Sequence, residues 1–147
     1  MNIHEIDLEL IYFFKRVSVP VARLGLFVIF FWFGLLKVVG LSPASGLVQS
    51  LFEQTIGFMS FDTFLVLFGL FECLIGILFL IRGMERIVLP LLFLQMLATF
   101  LPLFTLPEQT WNGFLVPTLE GQYIIKNLVI AAVAFGIAAR LHPLRNT

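Results

Sequence analysis

Four long apolar stretches constrain this chain more than any other feature of its sequence. They cover residues 21–41, 63–81, 87–106 and 123–139, or about 26–31 Å each as helices. Because the hydrocarbon core of a bilayer is about 30 Å thick, each is long enough to cross it. Of the 147 residues, 60% are hydrophobic and 12% charged, against about 45–50% and 25% in soluble domains. The sequence therefore predicts an all-α integral membrane protein, with one antiparallel four-transmembrane-helix bundle over residues 1–147.

Residues 1–19, which precede the first span, combine apolar and charged side chains at helical spacing. The apolar set is Ile3, Ile6, Leu10, Phe13 and Phe14, and the charged set is Glu5, Asp7, Glu9, Lys15 and Arg16. This pattern predicts an amphipathic interfacial helix, with Pro20 marking the turn into the bilayer. A cytosolic helix that binds a partner is the alternative. The first span lacks a small-residue cleavage site, so we expect a retained helix rather than a signal peptide.

The basic residues predict an orientation in the membrane. They flank the spans on one side only: Lys15, Arg16, Arg23, Arg82, Arg86, Arg140 and Arg145. The long connections 42–62 and 107–122 contain no Lys or Arg. By the positive-inside rule, both termini are predicted to be cytoplasmic and both long connections to be outside.

The two outer connections contain more than polar linkers. Residues 43–57 place five apolar side chains on one helical face and end at Gly57, which suits a helix C-cap. They predict a short helix on the outer surface. Residues 106–121 are interrupted by Pro and Gly and hold Trp111, an aromatic residue typical of the membrane interface. The two segments either cover the outer mouth of the bundle or serve only as interfacial packing.

Lys37 and Glu72 lie inside two of the predicted spans. A charge near the centre of a spanning helix costs at least about 2.5–3.5 kcal/mol and usually marks a paired site. Gly69, Gly76 and Gly83 share much the same face as Glu72, and small residues mark the packed side of a membrane helix. Side chains tilt toward the N-terminus of their own helix, so in antiparallel spans Lys37 and Glu72 lean toward each other.

Three interpretations of this buried polar cluster are open. In the first, a Lys37–Glu72 pair, or Glu72 held protonated by Gln95 or Thr99, fixes the helix order. In the second, an outward-facing polar pocket roofed by aromatic side chains binds a lipophilic molecule with a polar head, such as a quinone or a lipid. Its roof is formed by Trp32, Phe33 and Trp111. In the third, which a single acidic residue supports least, Glu72 carries a proton. The candidate ligand-binding residues are Lys37, Glu72, Gln95, Lys126, Trp32 and Trp111.

Several other chemistries have no basis in the sequence. Cys73 is the only cysteine, so a disulfide within the chain is excluded. His4 and His142 lie outside the spans, which removes ligands for a haem or a metal within the bundle. There is no phosphate loop, nucleophile elbow or zinc motif, and a net charge of zero without a basic run argues against nucleic acid. We expect a non-enzymatic protein or at most a quinone-linked redox subunit.

Short motifs give this chain a resemblance to a known family. They are Gly34-Leu-Leu-Lys37, Leu41-Ser-Pro43-Ala, Gly69-Leu-Phe-Glu72-Cys-Leu-Ile-Gly76 and Gly121-Gln-Tyr-Ile-Ile-Lys126. With these motifs the chain resembles the DoxX-like superfamily of small bacterial membrane proteins, and is most similar to the YkgB-like branch, that of reactive-chlorine resistance. The match covers nearly everything after Pro20.

The resemblance implies a four-helix protein of the bacterial inner membrane. It implies a link to oxidative or electrophile stress and, in related branches, to quinone-linked sulfur oxidation or to the assembly of other membrane proteins. The polar pattern of the family falls on Lys37, Glu72 and Lys126. We therefore expect a quinone, a lipid, a second copy of the chain or another membrane protein as the partner, with an assembly factor or scaffold as the alternative function.

Overall fold

The computed structural model describes residues 2–56 and 58–141. Within them the elements follow in the order α1 Ile3–Val38, α2 Ser45–Thr55, α3 Phe61–Leu80, α4 Glu85–Phe100, α5 Pro102–Thr105, α6 Pro107–Thr110, β1 Trp111–Gly113, β2 Val116–Pro117 and α7 Leu119–Ala138. Four helical segments of this described part are long and apolar enough to cross a membrane: α1, α3, α4 with α5, and α7. This confirms the helical membrane-protein class. Gly57, His142 and Arg145 lie outside the described residues.

The two long connections between the spanning helices are ordered as short elements. The short helix predicted in the first connection is present as α2, with bounds narrower than residues 43–57. Its position on the outer surface stays a prediction. The second connection contains α6 and a small antiparallel hairpin, in which Trp111 pairs with Pro117 and Gly113 with Val116. The sequence did not predict this hairpin, because its strands are only three and two residues long and show no alternation of apolar and polar side chains.

Helix α1 runs without a break through Pro20, so the predicted turn at this residue is wrong. The helix has 36 residues and is therefore about 54 Å long, well beyond the thickness of a bilayer core. A proline in a helix removes one hydrogen bond, here the one to the carbonyl of Arg16, but its φ angle is compatible with the helix. The chain can therefore continue on both sides of Pro20. The surface position of residues 1–19 stays a prediction.

Glycines set the close approach of α1 and α3. A Cβ atom built on Gly34 would lie 2.6 Å from the Gly69 carbonyl oxygen, and one on Gly76 would lie 2.8 Å from the Phe31 nitrogen. The predicted packed side of α3 is thus confirmed at Gly69 and Gly76. Gly83 does not share this role, since it has open space around it and a φ of +91° in the turn after α3. It supplies the left-handed backbone conformation that this tight turn needs.

An apolar core fills one half of the helix assembly. It joins side chains of α1, α3, α4 and α7: Leu26, Phe30, Ile75, Phe79, Val88, Leu89, Leu92, Met96, Ala134 and Ile137. On α1 these residues precede Gly34, and on α3 they follow Gly69. The apolar core therefore occupies the end toward the α3–α4 turn, and the polar residues of α1 and α3 lie toward the other end.

Arg23 links α1 to the turn between α3 and α4 through hydrogen bonds and an ion pair. Its guanidinium donates to the carbonyl oxygens of Phe79 and Ile81, each at 2.7 Å, and pairs with Glu85 at 2.5 Å. Carbonyls at the end of a helix have no partner within the helix. Arg23 therefore satisfies two carbonyls at the C-terminal end of α3 while it holds the first residue of α4.

We expect Arg23→Gln to lower the free energy of unfolding by about 1–2 kcal/mol, because hydrogen bonds to a charged group in a largely buried site are lost. Unfolding by SDS in mixed micelles, followed by circular dichroism, measures this change. Arg16→Gln is the matched control, since it removes the same charge from an exposed position of the same helix. Equal stability of the two variants would contradict the idea that Arg23 stabilises the contact between α1 and the α3–α4 turn.

Candidate functional site

A buried polar triad connects α1, α3 and α4. The Lys37 Nζ donates to Glu72 Oε2 at 2.5 Å, and the Gln95 Nε2 donates to Glu72 Oε1 at 2.8 Å. The three residues are only 6%, 7% and 2% exposed, respectively. The predicted pairing of Lys37 with Glu72 is therefore confirmed, and Gln95 donates a hydrogen bond to the second oxygen of the carboxylate.

The glycine contact between α1 and α3 brings the charged pair together. Lys37 follows Gly34 by three residues, and Glu72 follows Gly69 by three residues. Residues three apart share one face of a helix. The helices run in opposite directions, since Phe31 approaches Gly76 while Gly34 approaches Gly69, so Lys37 and Glu72 lie on opposite sides of the Gly34–Gly69 contact. Each side chain leans toward the N-terminus of its own helix, and the two meet across this contact. Lys37 also lies in the last turn of α1, where a cation interacts favourably with the helix dipole.

The triad contains one acceptor without a partner. Gln95 Oε1 is the buried side-chain nitrogen or oxygen atom of the described residues that makes no hydrogen bond. The opposite amide orientation would place this oxygen against the Glu72 carboxylate, which is repulsive. A buried acceptor left unpaired costs about 1–3 kcal/mol. This unpaired oxygen is a feature that a ligand with a hydrogen-bond donor would satisfy.

Lys37, the other partner of the Glu72 carboxylate, has unused donor capacity. An ammonium group has three N–H donors, and Lys37 uses one of them on Glu72. The ammonium also lies 5.4 Å from the ring centroid of Phe68, a cation–π contact. Thr99, predicted as an alternative partner of Glu72, instead donates to the Gln95 backbone carbonyl at 2.9 Å. The triad thus offers spare donors and a spare acceptor on adjacent side chains.

A row of aromatic rings leads from Lys37 along α3 to α2. The rings of Phe52 and Phe64 are 5.0 Å apart, those of Phe64 and Phe68 are stacked at 5.5 Å, and Phe68 faces Lys37. The sequence analysis did not predict this row. The sequence does contain an indication of it, because Phe64, Phe68 and Glu72 follow at intervals of four residues and therefore share one helical face. The predicted cover by Trp32, Phe33 and Trp111 stays a prediction.

The remaining predicted site residues lie apart from the triad. Trp32 is 62% exposed on α1. Trp111 donates from its indole nitrogen to the Leu103 carbonyl at 3.0 Å, and the exposed Lys126 lies over the ring of Tyr123 at 5.0 Å. Within residues 2–56 and 58–141, no hydrogen bond, ion pair or ring contact joins Trp32, Trp111 or Lys126 to the triad. Their roles in ligand binding stay predictions.

Cys73 lies beside Glu72 but belongs to the packing. Its thiol is free and buried, with Sγ 3.5 Å from the Phe31 carbonyl oxygen. In the part of the chain that the structure describes, no group of three or more His, Cys, Asp or Glu side chains is placed to hold a metal ion. The described chemistry of the site is that of an ammonium, a carboxylate and an amide.

The chain matches no family model, no curated protein and no solved structure. The resemblance to the DoxX-like superfamily, which is based on the short motifs around Gly34, Glu72 and Lys126, therefore stays an expectation from the sequence. Any function for the triad has to be argued from its own chemistry.

Proposed function

We propose that this chain is a multi-pass protein of the bacterial inner membrane that binds a lipophilic redox molecule of the quinone class at the Lys37–Glu72–Gln95 triad. Its four spanning helices form an antiparallel bundle with both termini in the cytoplasm, and it contributes to resistance against oxidative or electrophile stress. The unpaired Gln95 Oε1, on a side chain that shares the Glu72 carboxylate with the Lys37 ammonium, carries the proposal.

Quinone chemistry fits the donors and acceptors of the triad. A quinone carbonyl accepts hydrogen bonds, which the spare N–H groups of Lys37 supply, and a quinol hydroxyl donates one, which Gln95 Oε1 accepts. The apolar surroundings and the row of phenylalanine rings suit the ring and tail of such a molecule. A phosphate-bearing ligand fits less well, because Glu72 would repel it.

The position of the triad supports entry from the outer half of the membrane. Lys37 lies in the last turn of α1, and the row of rings that begins with Phe68 beside it runs along α3 to α2. The triad is closed in this structure, so binding requires the ring of Phe68 or the helix α2 to move aside. The stress role derives from the resemblance to the DoxX-like superfamily and not from the geometry.

We expect near-stoichiometric quinone in an organic extract of the protein purified in mild detergent. Glu72→Gln keeps the size of the side chain but removes the charge that orients Lys37, so the bound quinone should fall by at least about tenfold, equivalent to about 1.4 kcal/mol. Chromatography of the extract measures the ratio of quinone to protein. Survival of cells under hypochlorous acid should fall with the same variant.

Glu120→Gln is the matched control, because it makes the same chemical change at an exposed position near the start of α7. It should bind quinone and protect cells as the unmodified chain does. A folded Glu72→Gln protein that retains its quinone would refute the binding site. Loss of quinone without loss of protection would refute the stress role of the bound molecule.

A scaffold or assembly factor for another membrane protein is the second candidate function. It is favoured by residues 3–16 of α1, all of which are exposed in this structure. A stable protein partner that copurifies without any quinone would support this second function. The triad would then serve only to hold α1, α3 and α4 together.

A further inference from the structure

A cleft opens between α1 and the end of α3, far from the triad. It has a volume of about 360 Å³ and is lined by Val19, Pro20, Arg23, Phe79, Leu80 and Arg82. Residues 19–23 precede Lys37 by 14 to 18 positions, or about 21–27 Å along the helix. The cleft is therefore a separate feature, and its role does not depend on the function of the triad.

The two arginines of the cleft differ in what they bind. The Arg23 guanidinium is bound by the Phe79 and Ile81 carbonyls and by the Glu85 carboxylate. Its position is therefore fixed, and its charge is balanced by Glu85. Arg82 is exposed, and within the described ranges its side chain makes no hydrogen bond or ion pair. Arg82 is thus the cation that the cleft offers to a ligand.

Further positive charge surrounds this end of the molecule. Lys15 and Arg16 lie one to two turns before Pro20 on α1, and their side chains have no ion pair in the part of the chain described here. Arg140 at the end of α7 reaches the Lys15 backbone carbonyl at 3.3 Å, which places α7 at the same end. Glu85 is paired with Arg23, so the exposed Lys15, Arg16 and Arg82 leave an excess of positive charge around the cleft.

The occupant of the cleft has to be both apolar and anionic. Leu80, the last residue of the spanning helix α3, and Pro20, within α1, present exposed apolar surface, and the exposed Arg82 lines the same cleft. Basic pockets between spanning helices at the cytoplasmic side bind the head groups of anionic lipids. We propose that the cleft is a binding site for one anionic phospholipid of the surrounding leaflet, whose phosphate pairs with Arg82 and whose acyl chain lies along Leu80 and Pro20.

Native mass spectrometry of the full chain tests this site after exchange into detergent with phosphatidylglycerol or phosphatidylcholine. The unmodified chain should retain one phosphatidylglycerol in preference to phosphatidylcholine. In Arg82→Gln the retained phosphatidylglycerol should fall about fivefold, the ratio that corresponds to about 1 kcal/mol per basic residue near an anionic surface. Val19→Trp fills the cleft without a change of charge and should reduce retention as well.

Arg140→Gln is the matched control, because it removes one positive charge from the same end but does not line the cleft. It should retain phosphatidylglycerol almost as well as the unmodified chain. Equal losses in the Arg82 and Arg140 variants would overturn the site in favour of a diffuse electrostatic effect. Equal retention of the two lipids, or a cleft covered by a second copy of the chain in a dimer, would also overturn it.

Discussion

Gly34→Ala should lower the free energy of unfolding by about 3 kcal/mol, the upper end of the usual cost of an added methyl group in a packed interior. The new Cβ would lie 2.6 Å from the Gly69 carbonyl oxygen and 2.8 Å from the Cys73 nitrogen. Both neighbours are backbone atoms of α3, so no side-chain rotation can make room. The helices have to separate, and the van der Waals contacts that hold membrane helices together are lost.

The separation should extend to the polar triad. Lys37 is one turn from Gly34, and its ammonium is 2.5 Å from Glu72, so a small shift of α1 lengthens this ion pair. Reversible unfolding in mixed micelles measures the stability of the variant. Gly25→Ala is the matched control on the same helix, because a Cβ at Gly25 meets nothing within 4 Å. The prediction fails if the two alanine variants are equally stable.

The contact between Gly34 and Gly69 also shows what the sequence could predict. The spacing of Gly69 and Gly76 around Glu72 was enough to identify the packed face of α3, because small residues have few other uses on a spanning helix. The lean of side chains toward the N-terminus then predicted that Lys37 and Glu72 would meet. Both inferences used only helix geometry and the cost of a charge in lipid.

The features that the sequence did not predict depend on which helices pack against each other in the fold. Gln95 was one of two candidates for Glu72, and only the packing of α4 against α3 distinguishes it from Thr99. The row from Phe52 to Phe68 needs the position of α2, which hydropathy does not determine. Pro20 was interpreted as a turn because proline usually ends a helix. In the structure the helix continues, since only one hydrogen bond is lost.

Lys37→Met should lower the free energy of unfolding by about 3 kcal/mol. Breaking a buried ion pair by removing one partner costs about 3–5 kcal/mol, because the other charge is left without compensation. We expect a cost at the lower end of this range, because Glu72 keeps the hydrogen bond from Gln95 and can take up a proton. The double variant Lys37→Met with Glu72→Gln leaves no isolated charge. It should therefore be more stable than Lys37→Met alone by about 1–2 kcal/mol.

The double-mutant cycle over these three variants and the unmodified chain separates a structural pair from a binding site. The coupling energy is obtained from unfolding in mixed micelles, and quinone content is measured on the same preparations. If the double variant is stable but has lost its quinone, the Lys37 and Glu72 side chains contribute to quinone binding. If it is stable and retains the quinone, the pair has no role in binding, because methionine supplies neither charge nor donor. A double variant less stable than Lys37→Met would contradict the idea that an isolated Glu72 charge causes the loss. The cost would then come from the packing of residue 37 itself.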